Sequence, residues 1–159
     1  VGAVPDAEAA VGIAAPHPVA ERVMDKTIAH LGFIQGVITR MGANSCLLKG
    51  WSVTLVAAMF ALAVKDADKR FMLIAYFPVL VFWVLDAFFL HQEKLFRQLY
   101  AEVANGAIAS NNFTLDTSIV RERVPSGIKV FFSKTLFLFH GAIVLVILLA
   151  MFALAKTCT

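Results

Sequence analysis

The chain has 159 residues, of which 60% are hydrophobic and 16% charged, and its mean hydropathy is +0.79. A soluble globular domain is closer to half apolar and a quarter charged. The composition therefore excludes an ordinary soluble enzyme domain and predicts an integral membrane protein. The formal net charge of +3 fits the lysines and arginines that gather beside the cytoplasmic ends of membrane helices better than it fits nucleic-acid binding.

Residues 1–18 are rich in alanine, glycine and proline and lack the charged start and long apolar run of a secretory signal peptide. We expect them to form a disordered tail. Cys46 and Cys158 lie far apart and belong to no CxxC pair, so neither a disulfide framework nor a metal site is expected. The sequence also lacks phosphate-binding and nucleophile motifs. We therefore expect no cofactor, no catalytic residues and no enzyme activity.

Three apolar runs are long enough for the ~20 residues that a helix needs to cross a bilayer. The first is Ser45 to Val64, with Lys49 as its only charge, and the second is Phe71 to Leu90, with Asp86 as its only charge. The third, Val130 to Ala155, contains Lys134 and His140. The predicted fold is an all-α membrane bundle, with a transmembrane hairpin over residues 49–90 and a third span over residues 130–159. Pro78 is expected to bend the second span.

Two further segments are predicted to extend the hairpin into the cytoplasm. Residues 19–48 contain no proline, and apolar side chains recur there at helical spacing, which predicts an amphipathic helix continuous with the first span. Residues 91–129 should form a second cytoplasmic helix followed by a loop, from which Pro125 and Ser126 open the third helix. The predicted apolar stripe of the first segment comprises Met24, Ile28, Leu31, Ile34, Ile38, Met41 and Leu48.

The linker Lys65 to Arg70 is short, so the first two spans should run antiparallel. Lysines and arginines are then more numerous on the side that contains residues 19–48 and 91–129. Because cytoplasmic loops carry the excess of positive charge, the N-terminus should be cytoplasmic and the C-terminus outside.

The charged or titratable side chains Lys49, Asp86 and His140 are each 15 residues from the outer end of their span. At 1.5 Å per residue they share one depth, ~22 Å from the outer edge. Charges within a bilayer are costly and require a partner or a water-filled path. One interpretation is a Lys49–Asp86 ion pair that orients the hairpin, with His140 donating to a backbone carbonyl or Lys49 extending to the interface. The other is a hydrated pathway for ions or protons.

In the first span, polar residues recur at steps of four and three. This stripe either joins helices by hydrogen bonds or lines a pore. Three spans cannot enclose a pore alone, so a channel would have to be a homo-oligomer. The second hypothesis is a non-conducting scaffold or anchor subunit of a larger complex. A channel would turn the stripe toward a central axis, and a scaffold would turn it into the hairpin. The pore-lining candidates are Ser45, Leu48, Lys49, Ser52 and Leu55.

This layout, together with the stretch IQGVITRMGANSCLLKGWSVTL from Ile34 to Leu55, resembles the SLATT-type small bacterial membrane effectors of antiphage defence, including the Hailong-like channel effectors. The resemblance covers residues 20–108 and implies a homo-oligomeric channel in the bacterial inner membrane, gated from the cytoplasm by a nucleotide or oligonucleotide. Such a ligand would meet the basic cluster Arg121, Arg123 and Lys129. The other interpretation of this cluster is ordinary positive charge at the membrane surface, or attraction to anionic lipid.

Overall fold

The computed structural model describes residues 18–66 and 73–157, and all regular structure in these two ranges is helical. The predicted all-α class is therefore confirmed for the described residues. The predicted tail, apart from Pro18, and most of the hairpin linker lie outside them. The elements are α1 (Pro18–Asp66), α2 (Tyr76–Ala104), two 3-10 turns (Ser110–Asn112 and Ser118–Arg123), α3 (Gly127–Phe131) and α4 (Lys134–Thr157).

Helix α1 runs without interruption for 49 residues, ~73 Å at 1.5 Å per residue. This confirms that the segment before the first apolar run is continuous with it. The apolar stripe begins later than predicted, because Met24 and Ile28 are about 60% exposed whereas Ile34 and Ile38 are buried. Ile28 lies about 120° around the helix axis from Ile34 at ~100° per residue, away from the face that packs on α2, whereas His30, two residues later, lies on that face and is buried.

Helices α1 and α2 form a long antiparallel pair with two separate apolar cores. The first core lies in the predicted cytoplasmic part and joins Ile34 and Ile38 of α1 to Leu95 and Leu99 of α2. The second lies near the opposite end, where Val56 packs with Ala75, Val79 and Ile147 of α4. Between these two cores, Ser45 and Lys49 of α1 contact Asp86 of α2.

The third helix differs from the prediction, because it does not run continuously from Pro125 and Ser126. Helix α3 ends at Phe131, the chain turns at Phe132, and α4 begins at Lys134. A physical reason lies in Trp83, whose ring stacks on that of Phe131 at 4.9 Å and whose Nε1 donates to the Phe131 carbonyl at 3.1 Å. That carbonyl accepts from an indole at the point where a continuous helix would use it internally.

Helix α2 is interrupted close to Pro78, the residue at which the sequence predicts a bend. Leu73 and Ile74 are helical, Ala75 lies in a turn, and the regular helix starts at Tyr76. Proline has no N–H to donate to the carbonyl four residues earlier, here that of Ile74, and it is tolerated in the first turn of a helix. The interruption therefore lies just before Pro78.

Two of the described helices are long and apolar enough to cross a membrane, within Pro18–Lys65 and Lys134–Ala153. Only 17% of the most apolar stretch of each is buried, whereas the core helix of a soluble protein is mostly buried. Helix α2 does not meet the same criterion, and the predicted second run begins at Phe71, outside the described residues. The expectation of three such helices is therefore met for two.

Candidate functional site

A cluster of polar side chains joins α1, α2 and α4 at one level, and we call Ser45, Lys49, Asp86 and His140 the Asp86 cluster. The Nζ atom of Lys49 lies 2.6 Å from Oδ2 of Asp86, and Nε2 of His140 lies 3.2 Å from the same oxygen. The hydroxyl of Ser45 donates to Oδ1 of Asp86 at 2.5 Å. Lys49 also donates to the Ser45 hydroxyl at 2.8 Å. A single carboxylate on α2 thus binds groups from both of the other long helices, α1 and α4.

Helical spacing explains why α1 contributes two of these groups. Ser45 and Lys49 are four residues apart, so they lie one above the other on the same face of the helix. That face continues to Ser52, which is buried one further turn along. Asp86 belongs to the buried face of α2, with Trp83 one turn before it. The two faces meet because α1 and α2 are antiparallel and packed along their length.

The members of the cluster differ in exposure. The side chains of Asp86 and His140 are completely buried, whereas that of Lys49 is 25% exposed. The Lys49 ammonium also lies 5.9 Å from the centroid of the Phe139 ring, within the range of a cation–π interaction. The carboxylate of Asp86 is therefore fully removed from solvent, whereas the side chain of Lys49, its main counter-charge, is partly exposed.

His140 has a defined orientation and one unused nitrogen. Its ring stacks on Trp83 with centroids 5.5 Å apart and contacts Phe139 edge-on at 5.1 Å. Because a carboxylate only accepts hydrogen bonds, a neutral His140 carries its proton on Nε2. The buried Nδ1 then has no hydrogen-bond partner within the described residues.

The predicted partners Lys49, Asp86 and His140 are thus brought together as their equal depth indicates. The prediction that His140 donates to a backbone carbonyl is wrong, because the ring bonds the Asp86 carboxylate instead.

Two of the five pore-lining candidates face the interior of the chain, and the other three are partly exposed. Ser45 and Ser52 are buried, and the Ser52 hydroxyl has no partner within the described part of the chain. Leu48 and Leu55 are half-buried. In this arrangement the stripe on α1 is turned into the hairpin, and it could reach a shared axis only after the Asp86 cluster opened.

The basic cluster Arg121, Arg123 and Lys129 is exposed. Arg123 forms an ion pair with Glu102 of α2, so one of its three charges already has a carboxylate. The hydrogen bonds that Glu102 accepts, first from Arg123 and then from Gln98, lower the pKa of its carboxyl. Arg121 and Lys129 remain accessible on the predicted cytoplasmic side.

A second polar contact was not predicted from the sequence. His30 on α1 is completely buried, with Nδ1 3.2 Å from the Ser110 hydroxyl and Nε2 2.8 Å from the Thr114 carbonyl. Its ring also contacts Phe113 edge-on at 5.8 Å, and Phe113 has a left-handed backbone with φ 46°. His30 therefore fixes the loop after α2 against α1. The burial of His30 could have been predicted from its position, because it lies next to Leu31 and one helical turn before Ile34, on the face of α1 that packs on α2.

Among the described residues, no group of three or more histidine, cysteine, aspartate or glutamate side chains could hold a metal ion. Comparison of the chain with family models, curated proteins and solved structures finds no match. The functional interpretation therefore depends on the chemistry of the chain itself.

Proposed function

We propose that the protein crosses the membrane three times, with its N-terminus in the cytoplasm and its C-terminus outside. Asp86 on α2 bonds Lys49 on α1 and His140 on α4, which supports placing α2 at the same depth as the two helices that are apolar enough to cross. The outer face of α2 is also apolar, and Phe77, Val84 and Phe88 are each more than half exposed. Contiguous apolar exposure of this kind is rare in soluble monomers and is expected where lipid is the solvent.

We propose further that the protein is a homo-oligomeric channel or pore-forming effector gated from the cytoplasm. The observation that carries this proposal is the Asp86 cluster, in which one buried carboxylate holds three membrane helices together near their cytoplasmic ends. Such a contact is a natural two-state element: closed when the carboxylate is bound, open when the helices separate and water enters. In the described arrangement the polar stripe is shielded, so it corresponds to the closed state.

The cytoplasmic helices provide the means of control. Helix α1 passes without a break from the cytoplasmic core at Ile34 to Ser45 and Lys49, and α2 passes likewise from Leu99 to Asp86. A ligand that binds one arrangement of the cytoplasmic part more tightly shifts the population of the whole chain toward that arrangement. The resemblance to antiphage effectors suggests a nucleotide or oligonucleotide, and the exposed Arg121 and Lys129 are suitable cations for its phosphates.

A non-conducting anchor subunit is the alternative function, and a specific observation favours it. The polar stripe of α1 is turned into the hairpin, where Ser45 and Lys49 are hydrogen-bonded to Asp86. Polar groups that are bonded within one chain serve to join helices. This alternative needs no opening of the cluster.

Ion flux from liposomes that contain the purified oligomer tests the two functions. Asp86→Asn keeps the shape of the side chain and removes the charge that holds Lys49, so a channel closed by the cluster should leak more than the wild type without ligand. Asp116→Asn is the matched control, because Asp116 is an exposed carboxylate in the cytoplasmic loop. If the wild type and Asp86→Asn are both shown to be oligomeric and neither conducts, with or without nucleotides, only the anchor function remains.

A further inference from the structure

A groove of about 870 Å³ runs between α1 and α4. Its walls are apolar, with Val53 and Ala57 on α1 and Leu138, Ala142 and Val146 on α4. These residues are exposed in the single chain. The volume falls within the ~300–1,000 Å³ typical of ligand-binding pockets. The groove is therefore large enough for a ligand, and its walls favour a hydrocarbon one.

The groove has a basic end. Lys49 and Lys134 both line it, and Lys134 is the first residue of α4, six residues before His140. At 1.5 Å per residue, Lys134 lies ~9 Å nearer the cytoplasm than the Asp86 cluster. With His140 neutral, the cations Lys49 and Lys134 and the anion Asp86 leave one net positive charge at this end. The partly exposed Lys49 ammonium is open toward the groove, while Asp86 is buried behind it.

The length of the groove matches one leaflet of a membrane. From Lys134 to Val146 is 12 residues along α4, ~18 Å, and the hydrocarbon of one leaflet is about half of the ~30 Å core. The basic end lies on the predicted cytoplasmic side, where anionic lipids attract lysine and arginine. An apolar groove as long as one leaflet, with a basic end, is complementary to an anionic phospholipid.

We propose that this groove binds an anionic phospholipid of the cytoplasmic leaflet, with its phosphate on Lys49 and Lys134 and an acyl chain between Ala57 and Ala142. A second copy of the chain fits less well, because Asp86 is the only acidic residue in the three apolar runs and it is already buried within its own chain. A neighbouring copy would therefore bring no carboxylate to Lys134. The proposal requires membrane insertion, as the proposed function does, but it does not require conduction.

The test is native mass spectrometry of the protein after reconstitution in phosphatidylcholine with or without phosphatidylglycerol. We expect phosphatidylglycerol to be retained in preference to phosphatidylcholine. Lys134→Gln should weaken this retention about fivefold, the effect of one lysine at an anionic lipid surface. Arg40→Gln, which removes an exposed cation of α1 outside the groove, should leave it unchanged. Equal loss in both variants, or equal retention of the two lipids, would mean only general surface attraction and would overturn the proposal.

Two further measurements separate the occupants. Ala142→Phe and, on the opposite wall, Ala57→Leu should fill the groove and reduce phosphatidylglycerol retention without changing the oligomeric mass. If they lower the oligomeric mass while the lipid is retained, a second copy occupies the groove instead. Inorganic phosphate should not raise the unfolding temperature as phosphatidylglycerol does, and an equal rise would assign the site to free phosphate. Loss of lipid with unchanged liposome flux leaves the channel proposal intact, so the two proposals fail separately.

Discussion

The Lys49–Asp86 pair allows a quantitative test of how α1 and α2 are held together. We consider the substitutions Lys49→Met and Asp86→Asn, singly and combined. Lys49→Met leaves a completely buried carboxylate without its main counter-charge, and breaking a buried pair in this way costs ~3–5 kcal/mol. Asp86→Asn should cost less, because the abandoned ammonium of Lys49 is already one-quarter exposed and its long stem can carry it to water.

The double variant removes both charges and leaves no buried ion, so it should recover part of the loss. We expect a coupling free energy of ~0.5–3 kcal/mol, the range for residues in direct contact. The assay is reversible unfolding in mixed micelles, with the free energy of unfolding measured for the wild type and the three variants. The Glu93–Arg97 pair one turn apart on α2, with its atoms 2.7 Å apart and its arginine 64% exposed, is the matched control, with an expected coupling of ~0.2–0.5 kcal/mol.

If the Lys49 and Asp86 effects add to within ~0.3 kcal/mol, the pair is not an energetic unit and the reasoning is refuted. If Asp86→Asn costs more than Lys49→Met, the bonds from Ser45 and His140 to the carboxylate matter more than the ion pair. That result would assign the cohesion of the cluster to the hydrogen bonds that the carboxylate accepts from Ser45 and His140.

Three further predictions concern the part that is predicted to be cytoplasmic. His30→Ala should cost ~1–3 kcal/mol by leaving buried partners unsatisfied, and hydrogen exchange should accelerate at residues 110–114. Leu99→Ala, at a completely buried site, should lower the free energy of unfolding by ~2–5 kcal/mol. The pKa of Glu102 is lowered mainly by its hydrogen bond from Arg123. This pair therefore stabilises the fold fully above the ordinary glutamate pKa of ~4.3. The stabilisation is lost as the pH falls through the lowered pKa of Glu102. Arg123→Gln should therefore reduce stability at neutral pH and flatten the acid limb of the stability–pH profile; an unchanged limb would contradict the assignment.

The sequence alone determined the features that depend on helical rise and local chemistry. The continuity of α1 follows from the absence of proline inside it and from regularly spaced apolar side chains, which act locally. The meeting of Lys49 and Asp86 could also be predicted, since a fixed rise of 1.5 Å per residue converts sequence position into depth. A charge in an apolar run requires a partner, and here each run supplied one at the same depth.

The tertiary structure decided everything that depends on rotation about a helix axis and on contacts between distant segments. Depth does not say which way Ser45 and Ser52 point; the packing of α1 on α2 turns them into the hairpin. The break between α3 and α4 depends on Trp83, 48 residues before Phe131 in the chain, and the burial of His30 depends on a loop more than 80 residues away. Local sequence does not predict such partners, because each contact forms only when the helices have packed.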